Sequence, residues 1–297
     1  MTVAIVGATG LIGRHLARAL ADRGDEVIGL SRSGGEVPGA RAVRWDPAAE
    51  PVPAGAFQGV DAVVNLAGAA LAPRRWTRDR KKEIRESRVI PTRRVVEALG
   101  DGGPRTLVNA SAVGAYGSPG EAPVDESAPR GSGFLADVCE AWEAEALAAV
   151  DRGVRVVLVR SALVLARDGG VLASLLTPAK LGLAGPLGNG RQWWPWIHVD
   201  DEVGIILWAL DTPTVSGPVN TAAPSPARQR EIVATLGRVL RRPAFLPAPT
   251  IALEVVFGET SSMLLQSQRV IPRVALDGGY RFRHPQLEPA LRDLLGR

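Results

Sequence analysis

The chain of 297 residues has one cysteine, three histidines, two tyrosines and two methionines. One cysteine excludes an internal disulfide framework, and three scattered histidines (His15, His198 and His284) argue against a structural zinc site, so no metal is expected. No apolar run reaches the ~18 residues that suggest a membrane span. The N-terminus lacks the basic region of a secretory leader and runs directly into an apolar strand. Repeats and low-complexity tracts are also missing. Hydrophobic residues make up 46% and charged residues 22%, which indicates neither disorder nor a membrane protein. These absences leave a chain expected in a reducing cytoplasm, long enough for one large α/β unit or two modest domains.

Charge is present but uneven. The net charge is +4, yet Arg74 to Arg94 holds ten cationic against three acidic residues, a local excess of seven. A solvated helix face explains such a run. So does a wall facing an anionic ligand, such as a cofactor phosphate or an acidic substrate. Nucleic acid is not expected, because no recognition motif or aromatic platform accompanies the charge.

Strand-like and helix-like patterns alternate along the first half. "TVAIVG", "DEVIGLSR", "VDAVVNLAG", "RTLVNASAV" and "VRVVLVRSALVL" read as strands. "LIGRHLARALADRG", "EIRESRVIPTRRVVEALG" and "FLADVCEAWEAEALAAVDRG" read as helices. This alternation predicts an α/β fold, a Rossmann-type doubly wound parallel sheet covered on both faces. After Leu165 the rhythm breaks into a Gly- and Pro-rich stretch with three of the seven tryptophans, before "IHVDDEVGIILWALDTP" restores a short strand and a helix. The expected division is a dinucleotide-binding domain over 1–165, with 192–222 returning to it. A smaller substrate-side domain and tail then cover 166–297.

The strongest local motif is "VAIVGATGLIGRHLARAL", with Gly7, Gly10 and Gly13 between a strand and a helix. Glycines allow a tight turn and let backbone N–H groups approach a pyrophosphate at the helix start. Thr9, Leu11 and Ile12 belong to the same loop. An NAD binder offers a carboxylate at the end of the second strand. This chain offers Ser31, Arg32 and Ser33 there, so an arginine is placed to pair with a 2′-phosphate and NADP is the expected cofactor.

With these residues in view, the chain resembles the extended short-chain dehydrogenase/reductase superfamily. G-A-T-G-L-I-G, "NLAG" at Asn65, "SAVGAYG" at Ser111, "WIHVDD" at Trp196 and "GPVN" at Gly217 match in order. More narrowly it looks like the atypical branch grouped as an epimerase family. That branch carries "RRWT", "SRV..T", "WEAEA", "RDGG", "GxGRQW.xWIHVDD", "SQRV" and "GYRFR", here at Arg74, Ser87, Trp142, Arg167, Gly188, Ser267 and Gly279. The resemblance covers essentially the whole chain. It implies that Asp46 holds the adenine amino group, that Leu66, Ala67 and Gly68 line the ribose and pyrophosphate, and that Ser161 lies near the nicotinamide. Trp76, Gln192, Trp193 and Trp196 would border the substrate pocket, although the tryptophans serve equally well as core.

Typical members of the superfamily use Ser or Thr with Tyr-x-x-x-Lys, two groups on one helix face. Aligning Glu143 of "WEAEA" with the glutamate that follows the lysine puts Cys139 in the lysine seat and Leu135 in the tyrosine seat. The usual acid–base pair is absent. Cys139 has no cation one helical turn away in its own helix to lower its pKa, and reads as a buried replacement rather than a nucleophile. Ser111 matches the superfamily's serine, and Tyr116 is the remaining candidate proton donor. His198 either titrates or bonds Asp200 or Asp201 at the turn into the next helix. Two functions follow: an NADP-dependent oxidoreductase or epimerase-like enzyme acting on a small molecule as monomer or homodimer, or an NADPH-binding sensor without turnover.

Overall fold

The backbone of β1 (Thr2–Val6) alternates its side chains between two cores: Val3 and Ile5 face one, Ala4 and Val6 the other. A strand buried on both sides needs helices on both faces, and the computed structural model supplies them. It describes residues 1–71, 74–100 and 103–297. Six further parallel strands complete the main sheet: β2 (Glu26–Ser31), β3 (Arg41–Arg44), β4 (Ala62–Asn65), β5 (Thr106–Ala112), β6 (Arg155–Ser161) and β7 (Gly217–Thr221). Their order is β7-β6-β5-β4-β1-β2-β3, a doubly wound arrangement whose strand order reverses beside β1.

On one face lie α1 (Leu11–Asp22) and α5 (Val199–Asp211), which share a core through Leu16, Leu20, Ile205 and Ile206. On the other lie α2 (Arg78–Ala98) and α3 (Phe134–Leu147), with Val95, Val96 and Ala146 against β4, β5 and β6. A third core joins α4 (Gly170–Lys180), α6 (Gln229–Leu240) and a C-terminal helix (Leu287–Leu295) around Trp194 and Trp196. A further short helix, α7 (Thr250–Phe257), follows α6. No helix among the described residues is long and apolar enough to cross a membrane.

Three expectations about elements are corrected. "VRVVLVRSALVL" is not one strand: it leaves the main sheet after Ser161, and Leu163–Ala166 pairs instead with Trp196–His198. The Ala162 N–H donates to Thr221 O and the Leu163 N–H to Pro195 O, each 3.0 Å, which turns the chain between the two sheets. The stretch after Leu165, read as irregular, contains α4. β3 was not foreseen, since it is an edge strand with no buried residue and so carries no apolar pattern.

Candidate active site

The glycine loop is built by contact rather than by preference. Gly7 has φ +82°, and its carbonyl accepts the Gly10 N–H at 2.9 Å. A Cβ on Gly13 would lie 2.5 Å from that same oxygen, so helix α1 reaches the loop only without a side chain there. Gly10 caps α1 without a side-chain bond, which leaves the first N–H groups of the helix available.

These elements border a cleft of about 890 Å³. Of the expected cofactor residues, Gly7, Thr9, Gly10, Ser31, Arg32, Asp46, Leu66, Ala67 and Gly68 line it, while Leu11, Ile12, Gly13 and Ser161 lie off its wall. Helix α2 also lines the cleft, through Lys82, Ser87 and Pro91 among others, and Lys82 belongs to the cationic run Arg74–Arg94 that the sequence offered as a wall for an anionic ligand. The loop after β4 is fixed from beneath. Asn65 Nδ2 donates to Thr92 Oγ1 (2.8 Å) and Asn109 Oδ1 (2.7 Å), its Oδ1 accepts the Ala67 N–H (3.3 Å), and Ser87 Oγ accepts the Ala69 N–H (3.0 Å).

Ser111 and Tyr116, the expected carriers of proton chemistry, have their hydroxyls directed into a buried network. Ser111, only 4% exposed, donates to Glu143 Oε1 at 2.6 Å. Arg160 grips both oxygens of Glu143 through Nε (2.9 Å) and Nη2 (3.0 Å), and Arg130 adds a third cationic contact at 3.0 Å. Burial pushes the Glu143 carboxyl up, but the bonds from Arg160 and Ser111 outweigh it and hold the group below its usual range. Tyr116, 3% exposed, accepts from Arg160 Nη1 (3.0 Å) and donates to Asn220 Oδ1 (2.7 Å). Its burial pushes the phenol up. Turning either hydroxyl toward a ligand would strip a partner from a buried charge network, and neither residue lines the cleft.

Cys139 is likewise sealed. Its Sγ lies 3.7 Å from Ala112 O, and burial, then the nearby Glu143 charge, pushes the thiol up to about 11. It is neutral at physiological pH and no nucleophile.

Ser161 differs. Half-buried at the end of β6, it donates to Glu202 Oε1 at 2.6 Å. Glu202 is completely buried at the start of α5, and burial pushes its carboxyl up to about 7 despite the Ser161 and Thr221 hydroxyls. A carboxylic acid that holds its proton near neutrality therefore stands at the C-terminal edge of the sheet, where ligands of such folds bind. Glu202 was missed because it continues an acidic run at a helix start, which reads as capping.

The expected substrate-pocket residues are drawn into structure. Trp76 packs edge-on against Phe134 and donates Nε1 to Leu71 O at 3.1 Å. Gln192 Nε2 bonds the carbonyls of Leu187 and Leu264. Trp196, 1% exposed, is core, with Nε1 on Ser225 O. Only Trp193 keeps a partly open ring, flanked by Arg228 and Arg269.

His198 caps α5, its Nδ1 accepting the Asp200 N–H at 3.0 Å. Burial and the His284 ring push its pKa down. Ligand atoms of His198, Asp200, His284 and Asp293 come within 4.8 Å of one another, a grouping the sequence did not suggest. The two imidazoles stack at 3.7 Å and 20°, so their in-plane lone pairs run alongside each other rather than converging. The group acts as a clasp between α5 and the C-terminal tail.

The fold and cleft together define a dinucleotide-binding α/β protein of the extended reductase type. The chain belongs to the NAD dependent epimerase/dehydratase family, whose pattern matches residues 3–221, and a domain of unknown function (DUF1731) matches residues 248–294. It is 40% identical over 303 residues to an Arabidopsis thaliana protein called "Epimerase family protein SDR39U1 homolog, chloroplastic", covering 99% of this chain and 87% of that protein. It is 39% identical to the Homo sapiens epimerase family protein SDR39U1, covering 99% and 100%. The crystal structure of the human protein (isoform 2) with NADPH superposes with a TM-score of 0.90 at 38% identity, covering 100% of both chains.

Proposed function

We propose that the chain binds NADPH in the cleft and acts on a small-molecule carbonyl or alcohol as an NADP-dependent oxidoreductase or epimerase-like enzyme. One observation carries the cofactor assignment: at the end of β2 the cleft offers Arg32 and a buried Ser31 hydroxyl without a hydrogen-bond partner among the described residues, and the sequence Ser31-Arg32-Ser33 places no carboxylate at that strand end. A 2′-phosphate satisfies both groups. The NADPH in the human relative's structure supports the same reading. The N–H groups at the start of α1 receive the pyrophosphate, Leu66 to Gly68 border the sugar, and Asp46 meets the adenine. When bound, the dinucleotide supplies or accepts hydride. Ser161, backed by Glu202, is the hydroxyl suited to exchanging a proton at that end of the sheet.

A division near residue 165 into cofactor and substrate units, a cytoplasmic setting and a monomeric or homodimeric state belong to the same proposal. The lone buried thiol supports a reducing compartment. The locked Ser111 and Tyr116 favour the second reading, an NADPH-binding sensor without turnover.

Nicotinamide fluorescence titration tests the assignment. NADPH is expected to bind at least tenfold more tightly than NADH, a gap of about 1.4 kcal/mol, with Arg32→Ala erasing the difference. Equal affinities in the wild type would remove Arg32 from the site. Turnover in a carbonyl-substrate screen with NADPH then separates enzyme from sensor.

A further inference from the structure

Among the ten cations between Arg74 and Arg94, five pair with an acidic neighbour. Arg80 pairs with Glu83, Lys81 with Glu259, Lys82 with Glu86, Arg93 with Glu145 and Arg94 with Glu97. Arg88 is the inward-facing one, and it has no carboxylate within 4.0 Å among the described residues. Its Nη1 donates to Ile84 O at 2.9 Å and its Nη2 to Ala69 O at 3.1 Å, which leaves three of the five guanidinium N–H groups without an acceptor among the described residues. The planar group lies over the Trp142 ring, 5.2 Å from its centre.

The environment makes this charge uncomfortable. Burial pulls Arg88 down to about 10, and Arg80 adds like-charge repulsion. The one acidic group acting on it is the Cys139 thiol, itself pushed up to about 11 and so uncharged at neutral pH. Buried charges are ordinarily paired, because removing a cation from water is costly without a counter-charge.

The place of the charge is equally specific. A Cβ on Gly68 would come within 3.2 Å of Arg88 Cζ and 3.4 Å of Nη2. Gly68, Ala69 and Ser87 all line the cleft. The guanidinium therefore lies directly behind Gly68, where the cleft wall has no side chain.

We propose that Arg88 is the seat of an oxyanion, a phosphate or carboxylate group, which enters the cleft beside Gly68 and supplies the missing counter-charge. The planar fork suits two oxygens of such a group. The oxyanion comes either from the pyrophosphate of the dinucleotide or from an acidic substrate held next to it, so the inference rests on the cofactor reading for its setting but not for its chemistry.

The test uses the full chain with Arg88→Gln, which removes the charge and keeps a polar amide, and Arg88→Lys, which keeps the charge. The probes are NADPH, adenosine 2′-monophosphate (which carries the 2′-phosphate and neither phosphate of the pyrophosphate) and inorganic phosphate added to free and NADPH-saturated protein. If the oxyanion is the cofactor's, Arg88→Gln weakens NADPH at least tenfold and leaves adenosine 2′-monophosphate unchanged. If it is the substrate's, NADPH is unchanged and phosphate binding to the NADPH complex is lost. In either case Arg88→Lys recovers part of the loss. Changes under twofold for both NADPH and phosphate would overturn the proposal. So would an equal loss of adenosine 2′-monophosphate and NADPH, which marks Arg88 as a mere support of the cleft. Should the wild type bind no NADPH, the cofactor reading falls, while phosphate binding to the free protein that is lost in Arg88→Gln still supports the seat.

Discussion

Glu202 puts a measurable signature on stability. Its folded value of about 7 stands above the ~4.3 of an unfolded glutamate. The folded state thus holds the proton more firmly, and its stability is fully present below about pH 4.3 and falls as pH climbs through 7, by up to about 4 kcal/mol. Glu202→Gln keeps the neutral shape. Its melting temperature relative to wild type is expected to rise by several degrees between pH 5 and pH 8, and parallel curves over that range would show Glu202 ionised without cost. The cofactor loop was legible from sequence because its glycines act on near neighbours. Glu143, Glu202 and Arg88 were not, since the partners that define them arrive from other elements: Ser111 and Arg160 for the first, Ser161 for the second, and Ala69 and Trp142 for the third.

At the scale of elements, the start of α1 is held to the loop by absence of bulk. Gly13→Ala would force a methyl against the Gly7 carbonyl, 2.5 Å away, so the helix must retreat. NADPH affinity is expected to fall at least tenfold, alongside a stability loss of about 1–3 kcal/mol typical of overpacking. A chemical-denaturation midpoint and a fluorescence titration on one sample check both. Periodicity found the strands and helices with a buried face. It missed the solvent-exposed β3, and it ran β6 into Leu163–Ala166 because both halves are apolar and only the change of partner, from β7 to Trp196–His198, divides them.

Across the whole molecule, the C-terminal tail returns to the sheet domain through apolar packing of Ala275, Tyr280 and Phe282 and through a few polar contacts. Asp201 accepts the Tyr280 hydroxyl and the N–H groups of Arg283 and His284, and the His198–His284 stack lies beside them. His284→Ala is expected to speed amide exchange over residues 280–297 while leaving β1 and β4 protected. Uniform exchange changes would mean that the tail opens only with global unfolding. The parallel sheet was evident from the alternation of elements, whereas this return of the tail had no local signal. The packing around Cys139 also sets what these seats can hold. Leu135 lies close under Gly114, where an added Cβ would be 3.2 Å from Leu135 Cβ, and position 139 lies within reach of the charges of Arg88 and Glu143. A lysine introduced at 139 would therefore set a second cation beside Arg88, with Glu143, already gripped by Arg160 and Arg130, as the nearby acid. A tyrosine–lysine pair fits this helix face only if several of these contacts change together.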